Sequence, residues 1–347
     1  MARQLNIRFL RVEGRRVAFS VSGEGPPLVV PAWWVSHLEL DWGNPAFRSF
    51  WNAVGEGHTL VRYDNVGVGM SDRNGPPLEL TLDSGIALLG AVMDEVGVER
   101  ATLLGGSSGG CVAVAFAARQ PDRVERLLLY GAYADGGSIA PRGVRDAIVA
   151  AVRSHWGLGS RVLADVFLAE AGAAEREWFA RLQRVAASAE TAAALLDLVY
   201  RFDVRTELER VRAPTQVVHR RDDRAIPYEQ GRALAAAIPG ATLVPLVGQA
   251  HLPWVGDAQS VARALRSFLV PDTDAEPAEG EPAAALLSGR EREVLALVAE
   301  GLSEREIAEQ LRLSPHTVHR HAANIRHKLG RSSRAAAVAE AARLGLI

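Results

Sequence analysis

Between positions 103 and 110 the chain reads Leu-Leu-Gly-Gly-Ser-Ser-Gly-Gly. An apolar run followed by serines among glycines suits a sharp strand-to-helix turn that lifts a hydroxyl clear of a sheet. Glycines flank such a turn because its backbone is strained and crowded. Two registers fit: Ser107 between Gly105 and Gly109, or Ser108 between Gly106 and Gly110. Ser107 is favoured, because the leading glycine should follow the strand directly and Leu104 ends the apolar run. Ser108 then offers its backbone N–H to an oxyanion. A serine alone is a weak nucleophile; it needs a base, and the base needs an acid to orient it. Downstream, His219-Arg-Arg-Asp-Asp-Arg-Ala-Ile-Pro227 ends a strand with two carboxylates, Asp222 and Asp223. Gly248-Gln-Ala-His-Leu-Pro253 offers one histidine, His251, in a loop after the last strand.

A different chemistry is written near the carboxyl end. Ser303 and Ser314 each stand where a helix N-cap is needed, and Glu306 completes a capping box with Ser303. Pro315 occupies the first position of the second helix, where its missing N–H is harmless. Val318, Ala322, Ile325 and Leu329 share one face of that helix and must pack on Ile307, Ala308 and Leu311. The opposite face carries His316, Arg320, Ala323 and His327, flanked by His319 and Asn324. Thr317 and Lys328 complete the candidate DNA contacts. From Ser314 onward Arg320, Arg326, Lys328, Arg331, Arg334 and Arg343 face Glu340 alone, a local charge that suits a phosphate backbone. A helix of this kind can reach base edges in a major groove.

The elements around these motifs follow from periodicity. Leu5–Leu10 and Val17–Val21 predict an opening hairpin around Glu13-Gly14; Leu28–Pro31, Thr59–Arg62, Ala101–Leu104 and Val124–Tyr130 predict further strands. Leu82–Val96 and Gly109–Arg119 have helical spacing. This alternation predicts a mainly parallel, doubly wound sheet. From about 138 to 205 only helical segments follow, expected as a cap over the sheet's carboxyl edge. Alternation resumes with strands at Thr215–His219 and Ala241–Leu246 and helices at Tyr228–Ala237 and Ser260–Leu269. The expected domains are therefore 1–270, an acidic proline-rich linker at 271–286, and a small all-α unit at 287–347.

Composition narrows the class. A chain of 347 residues suits two domains, and 48% hydrophobic residues describe a globular protein. The net charge of −2 conceals the split between an acidic linker and a basic carboxyl end. Cys111 is the single cysteine, so no intramolecular disulfide forms, as expected in a reducing cytoplasm. No uncharged apolar run approaches the roughly 18 residues of a membrane span. His37, His58 and His155 form no spaced metal set, and neither a metal nor a cofactor is expected. Asp64 is read as ordering its glycine-rich turn.

Two resemblances rest on these motifs. Residues 1 to about 270, with Gly-x-Ser-x-Gly and the order serine, aspartate, histidine, resemble the α/β-hydrolases. That resemblance implies the triad Ser107, Asp223 and His251, the acid being matched on Pro227, four residues after Asp223. It also implies that Trp33 supplies the second oxyanion N–H beside Ser108. Leu287–Leu302, Glu306-Ile-Ala-Glu, Thr317-Val318 and Lys328-Leu-Gly330 resemble the LuxR-type (GerE-like) helix-turn-helix module of bacterial transcription regulators. It implies four helices that bind DNA, usually as a dimer, with the helix from Pro315 as reader. Ala335–Leu344 is either a dimer surface or part of the module's own core.

The function expected is that of a cytoplasmic DNA-binding transcriptional regulator whose hydrolase-like domain senses a small molecule. Its expected partners are double-stranded DNA, that ligand, a second copy of the chain and RNA polymerase. The rival reading is an active, esterase-like serine hydrolase with an accessory DNA-binding module; the triad by itself does not imply turnover.

Overall fold

The computed structural model describes residues 5–73, 81–269, 289–311, 318, 321–322, 325–326 and 333–343. The chain divides into two compact units, Met1–Pro271 and Asp272–Ile347.

The larger unit is built on an eight-stranded sheet: β1 (Ile7–Val12), β2 (Arg15–Ser22), β3 (Pro27–Val30), β4 (Thr59–Tyr63), β5 (Ala101–Gly106), β6 (Val124–Tyr130), β7 (Thr215–Arg220) and β8 (Thr242–Leu246). Their order is β1-β2-β4-β3-β5-β6-β7-β8. β1 and β2 form an antiparallel hairpin, β2 pairs antiparallel with β4, and all later pairings are parallel. The hairpin turn places both Glu13 and Gly14 at positive φ, the geometry that matches right-handed strand twist.

The central strands are apolar on both faces because helices cover both. Leu103 of β5, Leu127 and Leu129 of β6 and Val217 of β7 join one core cluster. Their neighbours Leu104, Leu128, Tyr130 and Val218 join the other. Helices α3 (Leu82–Glu95) and α4 (Ser108–Arg119) lie on the first face. Helices α2 (Pro45–Val54) and α10 (Ala258–Leu269) lie on the second. Between β3 and β4 the chain forms α1 (Leu38–Gly43) and α2, neither of which periodicity had suggested. Asn44 starts α2 by accepting N–H bonds from Ala46 and Phe47. β5 also runs two residues further than expected, through Gly106, because parallel pairing with β6 continues to Tyr130.

Four helices separate β6 from β7: α5 (Arg142–Ser154), α6 (Trp156–Phe167), α7 (Ala173–Ala186) and α8 (Ala189–Arg201). Gly159 lets α5 and α6 cross closely; a Cβ there would stand 2.7 Å from the Val152 Cα. After β7 come α9 (Tyr228–Ala237), β8 and α10.

The smaller unit contains α11 (Gly289–Ala299), α12 (Glu304–Leu311) and α13 (Arg334–Arg343). Ser303 and Glu306 make the expected box: the Ser303 N–H donates to Glu306 Oε2 at 2.7 Å, and the Glu306 N–H to Ser303 Oγ at 3.4 Å. Val294, Leu295, Ile307, Ala308, Val318 and Ile325 form its core. Ala337 and Ala341 of α13 are buried in that same core. Ser314, Pro315, Leu329 and the linker at 271–286 lie outside the described residues. So do all eight candidate DNA contacts: His316, Thr317, His319, Arg320, Ala323, Asn324, His327 and Lys328. Among the described residues no helix is long and apolar enough to cross a membrane.

Candidate active site

Ser107 is the residue at which β5 turns into α4, with φ 51° and ψ −129°. Positive φ costs a residue with a Cβ of order 1–3 kcal/mol, so packing must hold it there. Packing does. A Cβ on Gly105 would approach Gly110 Cα at 2.7 Å and Ala113 Cβ at 2.8 Å. A Cβ on Gly109 would stand 2.9 Å from the Pro31 carbonyl oxygen. The Ser107 N–H donates to the Tyr130 carbonyl at 3.0 Å, tying the turn to β6. Ser108 is the first residue of α4 and is buried. Its N–H belongs to the unsatisfied first turn of the helix, the positive end of the dipole.

Asp222 and Asp223 differ sharply. Asp222 is exposed and Asp223 buried. Asp223 Oδ1 accepts the N–H groups of Ala225 at 2.9 Å and Ile226 at 3.1 Å. Its Oδ2 lies 2.8 Å from His251 Nδ1. Burial alone would raise this carboxyl. The charge and hydrogen bond of His251, then His219 and the Ile226 N–H, outweigh burial and hold it below the usual carboxylate range. An ionised Asp223 fixes the proton of His251 on Nδ1. His251 Nε2 is buried and makes no hydrogen bond, so it is the ring nitrogen available to take a proton.

The end of β6 lies against both the serine and the dyad: its Tyr130 carbonyl holds the Ser107 N–H, and the next residue packs on the dyad, while no hydrogen bond joins Ser107 to His251 Nε2. Gly131 follows Tyr130 with φ 53°. A Cβ there would stand 3.1 Å from His251 Cε1 and 3.4 Å from Asp223 Oδ2. Trp33 lies against the other side of the turn: a Cβ on Gly106 would collide with its ring, 2.1 Å from Cζ2. Trp33 and Ser108 line one cavity of about 90 Å³, together with Trp34, Val112 and the cap residues Leu195 and Leu198. Trp34 is held under the cap, its Nε1 donating to the Ala192 carbonyl at 3.2 Å.

Three positioning groups carried no legible signal in the sequence. Arg220, at the end of β7, is fully buried and spans four backbone carbonyls of the His251 loop. It donates to Ala250 at 2.7 Å, Leu252 at 3.2 Å, Val255 at 2.6 Å and Asp257 at 3.5 Å. Glu170, in the cap, accepts the N–H groups of Gln249 and Ala250 at 3.1 and 3.2 Å. The Phe167 carbonyl, at the end of α6, accepts the His251 N–H at 2.9 Å. The base is thus mounted partly on the sheet and partly on the cap. His219 lies beside the dyad, its Nε2 3.9 Å from Asp223 Oδ2 and 3.0 Å from the Ile226 carbonyl. Burial lowers its pKa, against the pull of Asp223 and the Ile226 carbonyl.

Asp64 is a structural acid, as read. Its oxygens accept from Ser36 Oγ at 2.6 Å, from the Met70 N–H at 2.9 Å and from the Leu38 N–H at 3.1 Å. Cys111 is buried, and burial raises its thiol pKa far from any reactive value. His37 and His155 cap α1 and α6. Among the described residues no group of three or more His, Cys, Asp or Glu side chains could hold a metal ion.

Known proteins match this fold and the carboxyl-terminal module. Residues 40–255 match the family model of the alpha/beta hydrolase fold, and residues 285–341 that of bacterial regulatory proteins, luxR family. The chain is 32% identical over 203 residues to a 2-hydroxy-6-oxononadienedioate/2-hydroxy-6-oxononatrienedioate hydrolase from Cupriavidus pinatubonensis (strain JMP 134 / LMG 1197), covering 55% of this chain and 68% of that one. It is 25% identical over 279 residues to a pyrrolizixenacetamide deacetylase from Xenorhabdus hominickii, covering 75% of this chain and 97% of the relative. Among solved structures, a hydrolase from Pseudomonas aeruginosa PA01 superposes with a TM-score of 0.63 at 27% identity, over 76% of this chain and 98% of that one. The enol-lactonase from Burkholderia xenovorans LB400 gives 0.62 at 25% identity, over 76% and 99%.

Proposed function

Because this chain belongs to the alpha/beta hydrolase fold family and carries a luxR-family DNA-binding module at its carboxyl end, we propose that it is a cytoplasmic DNA-binding regulator whose hydrolase domain senses a small molecule. The ligand occupies the cleft above Ser107. It is an ester or a related acyl compound, because that is what a strained serine beside a closed Asp223–His251 pair is shaped to meet. The observation that carries this reading is the joint presence of that constellation and a DNA-binding module in one polypeptide. Ligand binding shifts the chain toward one DNA-binding state by its differential affinity for the two. A second copy of the chain, as is usual for such modules, and RNA polymerase complete the assembly.

The buried Asp223–His251 pair and the strained Ser107 turn support a second reading in which the sensor also hydrolyses its signal. In that cycle Ser107 Oγ attacks the acyl carbon while His251 Nε2 takes its proton. Ser108 and Trp33 N–H groups hold the oxyanion. His251 then returns the proton to the leaving group, and water releases the acyl chain by the same route. The test is DNA selection from a random pool by the full chain, with and without short-chain ester libraries, beside ester turnover by the same preparation. Ligand-dependent enrichment that survives Ser107→Ala supports sensing. Enrichment of no sequence under any condition rejects the regulator.

A further inference from the structure

A second cavity, of about 70 Å³, lies between α2, the end of β4 and the His251 loop. Trp33, Asp41, Trp51, Arg62, Leu252 and Trp254 are among its walls. Ser107 does not line it. Its chemistry is unusual for a packing gap. Two residues of its walls carry buried N–H donors with no hydrogen-bond partner: Arg62 Nη2 and Trp51 Nε1. Arg62 is 7% exposed and Trp51 2%. Buried donors almost always find partners, and two orphans on one small space are two lost hydrogen bonds.

The guanidinium is held, not loose. Its centre lies 4.7 Å from the Phe47 ring, 5.3 Å from Trp42 and 5.9 Å from Trp51. Stacking on aromatic faces leaves the in-plane N–H edge to point elsewhere. No carboxylate among the described residues forms an ion pair with it; Asp41 and Asp64 act on it only at longer range. Asp41 is the one acid in the walls. Burial pushes its carboxyl up to about 7, against the pull of the His37 N–H and then of Arg62, with Asp64 pushing the same way as burial. Asp41 can therefore take up a proton instead of contesting an incoming anion.

We propose that this cavity is a binding site for a small carboxylate, its oxygens accepting from Arg62 and Trp51 and its hydrocarbon part lying against Phe47 and Trp254. A carboxylate matches the planar donor edge of arginine and accepts several bonds at once. The aromatic walls suit a short alkyl or aryl group. The site shares the Trp33 wall with the catalytic cleft but stands whether or not Ser107 reacts.

The test is isothermal titration of the full chain with butyrate and benzoate against their shape-matched amides, butyramide and benzamide. The acids are expected to bind saturably and about ten-fold or more tighter than the amides. Arg62→Met should abolish the preference for acid. Trp51→Phe, which keeps an aromatic face and removes the N–H, should weaken acid binding several-fold. Asp41→Asn should tighten it, because the competing carboxyl is gone. Equal binding of acid and amide, or acid binding unchanged in both Trp51→Phe and Asp41→Asn, overturns the proposal. So does the absence of saturable binding, which would leave water as the only occupant. Asp41→Asn retains shape, so the result does not depend on Arg62→Met folding.

Discussion

At Ser107 two demands meet in one residue. The hydroxyl requires a side chain, while φ 51° favours having none. Ser107→Gly should therefore raise the melting temperature, by an amount equivalent to about 1 kcal/mol, while Ser107→Ala, which keeps the Cβ and the strain, should not. Both should lose ester turnover by about 10³-fold or more if the chain hydrolyses esters. Thermal denaturation of the three proteins side by side checks the first claim; a stabilised Ser107→Ala would refute it. Asp41 presents the opposite case, an acid that is uncomfortable ionised. Its ordinary value is 3.8 and burial moves it to about 7. A raised folded value means that the native state holds its proton longer than the unfolded chain. Its contribution is complete below about pH 4 and is lost as pH rises through about 7. Asp41→Asn keeps an oxygen for the His37 N–H and removes the charge. It should stabilise the larger unit at about pH 8, by no more than about 4 kcal/mol, and do little near pH 4. Melting curves across that range decide it; equal effects at both ends would show that Asp41 does not titrate in this way.

At the scale of elements, the His251 loop is positioned by Arg220 more than by its own sequence. Hydrogen bonds to a charged group contribute roughly 1.5–3 kcal/mol each, and Arg220 makes four to carbonyls of this loop. Arg220→Met should leave those carbonyls unpaired. The expected result is a melting temperature lower by several degrees and, if the chain hydrolyses esters, turnover reduced well beyond what the lost stability explains, with Asp223 and Ser107 untouched. A variant with normal turnover would show that the loop holds its own shape. The difference between what could and could not be read in advance follows the same line. The serine turn was legible because strand, glycines and hydroxyl are adjacent in sequence. The choice of Asp223 over Asp222 rested on resemblance; in the structure it is a matter of burial, which two neighbouring loop residues do not advertise. Arg220 was invisible because its partners are backbone carbonyls some 30 residues away, and carbonyls carry no residue type. Helices α1 and α2 were missed although Asn44-Pro45 is a good helix start and Phe47, Phe50, Trp51 and Val54 share a face. Phe47 and Trp51 both line the second cavity and join the core beneath α2.

At the scale of the molecule, the decisive property is that two cores are separate. Val294, Leu295, Ile307, Ala308, Val318 and Ile325 cluster among themselves, and none joins the clusters on either face of the sheet. The overall charge of −2 could not reveal this, since it averages two units of different purpose. A module of about 60 residues has little stability to lose, on the order of 3–9 kcal/mol. Ile307 is completely buried in it. Ile307→Ala removes buried methylenes at about 2–5 kcal/mol, comparable with the whole margin of the module. The larger unit should not register the change. Calorimetry of the full chain should therefore show the carboxyl-terminal transition lowered or lost while the main transition stays in place. Retardation of duplex DNA should fail, and any ester turnover should persist. If instead both transitions shift together, the two units unfold as one body, and a signal bound above Ser107 reaches the DNA-binding helices through packed contacts. If they separate as expected, coupling must work through effective concentration and assembly, because a ligand that stabilises one unit leaves the folding of the other unchanged.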